Sequence, residues 1–381
     1  MLAAHNGYYF GSSPDAVTTF HQFKESTMRL TIARADLARI LSGTIKAVEA
    51  RNTIPILSTV KLTAAGGKLT ANATDLDIEI KSSITADVET DGDTCVNAAL
   101  LNGIVGKLPA SGEVLLETKD NSLAISCGRS RFKLQALPAS DFPAMAEVQY
   151  SASFEIDLAA LVLPLAFAMS NETTRYYLCG VYMHTDAGRI KAVATDGHRF
   201  ALNAIDSAEN FKGIIIPAKT IGLLPRETVQ FSVSDSKIRI VAGDTEITSR
   251  LIDGTYPDYE RVIPKSNDKL IIVDNAAMRA ASDRVALVSA AKARAVKINA
   301  VAGRVTLSVS GQEGNATEEI DADYAGEELT VGLNSQYLAN VAGMFPPGAL
   351  KIFIADAGSP ILFKADLVPD MLGIVMPMRV G

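Results

Sequence analysis

The residues best equipped for chemistry lie in ATDGHRF, where Asp196 and His198 stand two positions apart. A carboxylate beside an imidazole is the pattern of general acid–base catalysis. Residues at i and i+2 share a face only while the backbone stays extended, and Gly197 between them predicts a turn instead. No serine, cysteine or second carboxylate is marked by its spacing as their partner. The chain also lacks a GxxxxGK[ST] loop, a GxGxxG that opens a helix, a GxSxG elbow and an HExxH pair. Cys95, Cys127 and Cys179 are far apart and form no CxxC pair, which predicts reduced packing thiols rather than a disulfide framework or a structural zinc site. The expectation is a protein that is not an enzyme and needs no metal or cofactor.

The elements that surround those residues are written three times. LTIARADLARILSGTIKAV (from Leu30), FEIDLAALVLPLAFAMS (from Phe154) and LIIVDNAAMRAASDRVALVS (from Leu270) share one plan. Each is a short strand-like run, then a helical stretch rich in alanine and leucine. VKLTAAGGKLTANATDLDIEI, VYMHTDAGRIKAVATDGHRFAL and VKINAVAGRVTLSVSGQEG follow as strand, glycine-bearing turn and strand. A second helical stretch comes next (NAALLNGIVGKL, PAKTIGLLPRE, NSQYLANVAGMF), and each unit closes on another hairpin. A period near 120 residues is that of a whole domain rather than a solenoid unit. The order predicted within each unit is β-α-β-β-β-α-β-β-β, an α+β arrangement in which helix pairs cover antiparallel sheets.

Length and composition agree. The chain has 381 residues, 48% of them apolar and 21% charged, ordinary usage for a globular protein of two or three domains. No apolar run is long enough to span a bilayer. Residues 1–27 lie outside the repeat and lack the basic start, apolar segment and cleavage site of a signal peptide. They are read as an extension, weakly ordered or not native. Proline-bearing connectors, LPASDFPAMAEVQYSASF from Leu137 and DGTYPDYERVIPKSNDKL from Asp253, divide the remainder at residues 28–149, 150–267 and 268–381. The cysteine usage and the absence of a leader point to the cytoplasm.

Charge is unevenly spread. The six helical stretches, taken as residues 33–51, 97–107, 157–175, 217–227, 276–294 and 334–345, carry a formal +6 and the remainder −13, within a total of −7. A basic helical face on an acidic protein suits weak, sequence-independent contact with polyanion phosphates.

Five longer segments, CGRSRFKLQALPASDFP, RYYLCG, VATDGHRFA, DGTYPDYERVIPK and the terminal VMPMRV, closely resemble the β sliding clamps of bacterial DNA polymerase III. The resemblance runs in register from Met28 to the C-terminus. It implies three alike clamp domains per chain and a homodimeric six-domain ring, with helices inside and antiparallel sheets outside. Such a ring encircles duplex DNA and tethers the polymerase for processive synthesis. The partners implied are double-stranded DNA, the polymerase III alpha subunit, a separate ATP-driven clamp loader, and other polymerases and repair proteins that dock through short linear motifs. A divergent clamp paralogue serving drug resistance or repair, or a DNA-binding scaffold that forms no ring, are the alternatives.

The resemblance also assigns sites. The pocket for linear motifs falls on Leu178, Thr195, Gly197, His198, Arg199, Phe200, Pro257, Val262, Ile374, Met376, Pro377, Met378 and Arg379. Methionines suit such a pocket because they adapt to varied apolar ligands. DNA contact falls on Arg51, Arg175, Tyr176, Tyr177 and Lys219, with the tyrosines able to stack on unpaired bases. At the dimer seam, Phe132 and Leu134 are expected to meet the partner's Leu287 and Val288. Phe200 stands where the family often has leucine, and Glu172 where it can carry a neutral amide. Gly358 and Pro360 depart from the family's usual apolar or small polar residues.

Overall fold

The structure, a computed structural model, describes residues 28–49, 53–288, 295–311 and 314–379. The first repeat comprises β1 (Arg29–Ala33), α1 (Arg34–Thr44), β2 (Thr59–Ala65), β3 (Lys68–Thr74), β4 (Ile78–Thr85), β5 (Asp87–Thr90), β6 (Gly92–Asn97), α2 (Ala98–Lys107), β7 (Glu113–Lys119), β8 (Ser122–Cys127) and β9 (Ser130–Leu137). The second runs β10 (Ala152–Ile156), α3 (Leu158–Val162), β11 (Gly180–Asp186), β12 (Arg189–Thr195), β13 (Arg199–Asp206), β14 (Ile214–Pro217), α4 (Ala218–Ile221), β15 (Val229–Val233), β16 (Lys237–Ala242) and β17 (Thr245–Arg250). The third runs β18 (Lys269–Asp274), α5 (Asn275–Ala286), β19 (Ala295–Val301), β20 (Arg304–Gly311), β21 (Gly314–Asp323), β22 (Leu329–Asn334), α6 (Ser335–Met344), β23 (Ala349–Ile354), β24 (Ile361–Lys364) and β25 (Leu372–Val375).

Each domain is itself two βαβββ units that exchange their first strands. In the first domain β6 pairs with β2 and β1 pairs with β7, and the other two domains repeat this. Before the second helix the second and third domains have one strand more than predicted, the exchanged strand, and the first has two, the exchanged β6 and the short β5 that pairs with β1. Polar residues start four of the six helices: side-chain oxygens of Asn97, Asp157, Asp274 and Asn334 accept from backbone N–H groups of the first turn.

The helices of the central domain are shorter than predicted. The stretch read as helix over 157–175 is five α residues followed by 3-10 turns at Leu163–Ala168 and Thr173–Leu178. Pro164 has no N–H to continue the α ladder. The second stretch is the four-residue α4, with Pro225 soon after it.

The sheets do not stop at the domain borders. β4 of the first domain pairs antiparallel with β17 of the second, and β13 of the second with β25 of the third. All described strand pairs are antiparallel, in sheets of 13 and 12 strands. One buried cluster fills the first domain and a larger one runs through the second and third. A third, smaller cluster lies over the β13–β25 seam. The thiols Cys95 and Cys127 are buried and Cys179 is half-buried, all unpaired, and burial pushes Cys95 up to about 11.

Candidate partner groove and nucleic-acid face

The cluster at the second seam is built by strand alternation. On β13, Phe200 points into it while Arg199 points to the opposite face. Across the ladder Ile374 stands opposite Phe200 and Val375 opposite Arg199. Leu178, Phe200 and Ile374 therefore meet in one patch with Tyr256, Tyr259 and Leu362, and Tyr177 packs against it. Val262 and Met376 remain 50% and 42% exposed beside it. Exposed apolar side chains beside a buried apolar cluster make this seam the candidate surface for apolar anchors. The Phe200 ring is 5.8 Å from that of Tyr259, and the side chain is 3% exposed. It forms the floor of the groove.

Asp196 and His198 are not an acid–base pair. Asp196 Oδ1 accepts from the backbone N–H groups of His198 (2.9 Å) and Arg199 (3.0 Å), while Oδ2 accepts from the Arg199 guanidinium at 3.0 Å. The carboxylate closes the predicted turn. The Thr195 hydroxyl donates to the Arg199 carbonyl, Gly197 takes φ 89°, and the His198 carbonyl accepts from Met376 N–H at 2.9 Å. This turn fixes where the C-terminal strand enters the groove.

Arg199 was expected to line the pocket, but its side chain belongs to the domain seam. Its guanidinium lies 4.7 Å from the Tyr337 ring and 5.5 Å from that of Phe167. His198 is exposed and its ring stacks on Tyr337. Pro257 and Arg379 are exposed, Pro377 and Met378 half-buried, and Met378 N–H donates to the Gly332 carbonyl. Sequence reasoning missed Tyr256, Tyr259 and Leu362, although the first two stand in the quoted DGTYPDYERVIPK.

The residues assigned to DNA are not one uniform basic surface. Arg51 lies outside the described residues. Arg175 pairs with Glu172 at 2.8 Å and donates to the Asp196 carbonyl, which neutralises the acid that the family's neutral amide would replace. Tyr176 is 52% exposed and meets Tyr177 edge to face. Lys219 is engaged by Glu49 at 3.2 Å and by Asp75, both in the first domain. Burial opposes its charge, yet the hydrogen bonds and charges of Asp75 and Glu49 prevail and raise its pKa. Lys219 is thus a strap across the first seam. Elsewhere Arg34 caps the end of α2, donating to the Val105 and Gly106 carbonyls.

At the expected dimer seam, Leu287 is 86% exposed and Phe132 38% exposed. Leu134 is 7% exposed and packs in the first-domain core, so the strand face shared with Phe132 turns inward there. Val288 packs partly against its own domain. Gly358 and Pro360 flank the β23–β24 turn, where Asp356 accepts from Gly358 N–H and the Pro360 carbonyl accepts from Asn267.

A three-domain chain strung through shared sheets, with an apolar groove at one seam and a structural turn where an acid–base pair was conceivable, is a scaffold of the DNA-clamp class. Residues 28–146, 155–258 and 260–379 match the N-terminal, central and C-terminal domains of the DNA polymerase III beta subunit. A beta sliding clamp from Caulobacter vibrioides is 42% identical over 372 residues, covering 93% of this chain and all of the relative. One from Pseudomonas putida is 34% identical over 366 residues, with 92% and 100% covered. The solved Caulobacter crescentus clamp superposes with a TM-score of 0.90 at 41% identity, and that of Bartonella birtlesii bound to griselimycin with 0.90 at 36%; each covers 93% of this chain and all of its own. The chain belongs to the DNA polymerase III beta subunit family, the bacterial sliding clamps, which are non-catalytic processivity factors.

Proposed function

We propose that two copies of this chain close into a six-domain ring that slides on duplex DNA and holds the replicative polymerase to it. The observation that carries the ring is the pattern of seams. Within the chain, the fourth strand of one four-stranded sheet pairs with the last strand of the next domain, twice. The same positions at the chain's two ends are β9 and β21. β9 has a neighbour on one side only along Ser130–Leu134, and so has β21 along Gly314–Asp321, among the described residues. Pairing β21 of one copy with β9 of the other repeats the seam, closes a two-fold ring and covers both of these free stretches.

A topological link needs little affinity. Weak phosphate contacts, read without regard to base sequence, let the ring slide. Arg175, Tyr176, Tyr177 and Arg51 are the proposed contacts, with Lys219 serving the seam first. The groove of Leu178, Phe200, Val262, Ile374 and Met376 receives linear motifs of the alpha subunit, the loader, other polymerases and repair proteins. The Phe200 floor favours shallow apolar anchors. Function of this kind belongs in the bacterial cytoplasm, and among the described residues no helix is long and apolar enough to cross a membrane.

The test is retention on nicked circular DNA after loading with ATP and a cell extract that supplies the loader, followed by gel filtration in high salt. A clamp stays on circles and leaves once one restriction cut linearises them. Equal loss from both forms by a protein that sediments as a monomer, or equal retention on both, refutes the ring.

A further inference from the structure

A row of rings runs beside the groove floor. Tyr182 and His184 stand two residues apart on β11, so strand alternation puts both on one side, towards the connector that joins the second and third domains. Tyr182 stacks on Tyr256 of that connector, with ring centroids 4.7 Å and planes 6° apart, and on His184 at 5.0 Å. His184 in turn meets Tyr259, whose hydroxyl lies 2.8 Å from Nε2, and the Tyr259 ring meets Phe200 at 5.8 Å. The imidazole is thus the polar member of a continuous ring contact from Tyr256 to the groove floor.

Tyr259 opens the 3-10 turn Tyr259–Val262, and Val262 at its other end is an exposed lip of the groove. Two polar links tie this turn to the sheet. One is the Tyr259–His184 hydrogen bond, and the other is the Glu260–Lys191 ion pair at 3.6 Å. His184 and Lys191 stand opposite each other in the β11–β12 ladder. The Glu260 side chain is 65% exposed, and an ion pair in water holds little. Tyr259 is buried, so its bond to His184 is the firmer anchor.

The direction of that bond is set by the other ring nitrogen. Nδ1 faces the Thr185 carbonyl, which can only accept, at 3.4 Å. The neutral ring therefore carries its proton on Nδ1, and Nε2 accepts from the Tyr259 hydroxyl. A second proton on Nε2 would face the hydroxyl proton. The hydroxyl would then have to turn, and its hydrogen has no other hydrogen-bond partner among the described residues. Burial first, and then Lys191, hold the imidazole below its ordinary 6.5, against the Thr185 carbonyl, Asp186 and Glu260. Lys191 itself is paired with both Asp186 and Glu260, so neither acid is left uncompensated beside the ring.

We propose that His184 is a positioning residue of the motif groove. By accepting from Tyr259 it holds that ring on Phe200 and Val262 at the lip, and an apolar partner segment binds in full only while Nε2 carries no proton. The inference rests on reading this seam as a groove for linear motifs.

The test titrates full-length protein into a rhodamine-labelled peptide with Leu and Phe anchors, blocked at both ends and free of titratable groups. Anisotropy is read in steps from about pH 7.5 to about pH 5, with circular dichroism confirming folded protein at each step. At the higher pH, His184→Leu and Tyr259→Phe should each weaken binding about threefold to tenfold, the worth of one ordinary hydrogen bond. The double variant should lose no more than either alone, because both remove the same bond. His184→Gln sets an amide oxygen near the place of Nε2 and should recover most of the affinity that His184→Leu loses. Wild-type affinity should be full above pH 6.5 and fall below it, while His184→Gln falls less. His198 at the groove is common to both proteins, so the difference between their profiles belongs to His184. Tyr259→Phe keeps the ring and gives a readout if His184→Leu fails to fold. Wild-type affinity in both single variants, additive losses in the double variant, no recovery in His184→Gln, or one pH profile shared by wild type and His184→Gln overturns the proposal. If the wild type does not bind the apolar peptide at the higher pH, or Met376→Ala binds it equally well, the motif groove itself fails and this inference with it.

Discussion

Ring closure can be tested at one side chain. Leu287 follows α5 and is 86% exposed in the single chain, so replacing it by alanine removes almost nothing that the folded monomer uses. If the leucine is covered at each of the two seams, Leu287→Ala withdraws three carbons per seam, at about 0.8 kcal/mol each. The loss is about 2.4 kcal/mol per seam and about 5 kcal/mol for a ring with two of them. That raises the dimer dissociation constant about a thousandfold or more. Val288 is a poorer probe, because it packs partly on its own domain and its loss would also loosen the monomer. Sedimentation velocity over a dilution series from nanomolar to tens of micromolar reads the shift directly. Thermal unfolding of the dissociated variant checks that the chain itself is intact. If the wild-type and Leu287→Ala dilution curves superimpose, Leu287 is not covered by a partner and the seam lies elsewhere.

Two further outcomes follow from the site. Asp196→Asn keeps the Oδ1 acceptor of the turn and should keep motif binding, whereas Asp196→Ala frees two backbone N–H groups and the Arg199 guanidinium and should destabilise the chain by about 1–3 kcal/mol in urea; equal effects of the two would refute the turn role. Burial holds the His184 imidazole below its ordinary 6.5 while Nε2 sits 2.8 Å from the Tyr259 hydroxyl. The unfolded chain then takes up the proton first, so stability tied to this group is present above pH 6.5 and lost as pH falls below it through the folded value. His184→Gln should lose less stability than wild type between pH 7.5 and about 5 in paired urea titrations, and parallel losses would refute the assignment.

Much of this was readable in the chain. The threefold plan was legible because the caps and glycine turns recur with the strand pattern. Helix length in the central domain was not, although Pro164 and Pro225 stood inside the very stretches read as helical. The groove could not be assembled from spacing, since Phe200 and Ile374 are far apart in sequence and meet only through the β13–β25 ladder; resemblance supplied it. Strand alternation corrects the list at Arg199, whose neighbour Phe200 takes the groove side. The partners of Lys219 were invisible for the same reason: Glu49 and Asp75 lie in another domain, so a lysine that looks available on its helix is committed once the seam forms.

The seams also explain how such a chain can diversify without losing its shape. Register at each is set by groups that do not project outward: the aspartate that closes the turn, the threonine hydroxyl beneath it, and the ladder between the strands. Alternation sends every second side chain to the opposite face, which is apolar at the second seam and carries Glu79 at the first. Glu79 and Phe200 can therefore differ completely while Ile78 and Arg199 keep the same places opposite Ser249 and Val375. Backbone geometry of the same kind holds both seams, and the side chains at the matching positions are left free to differ.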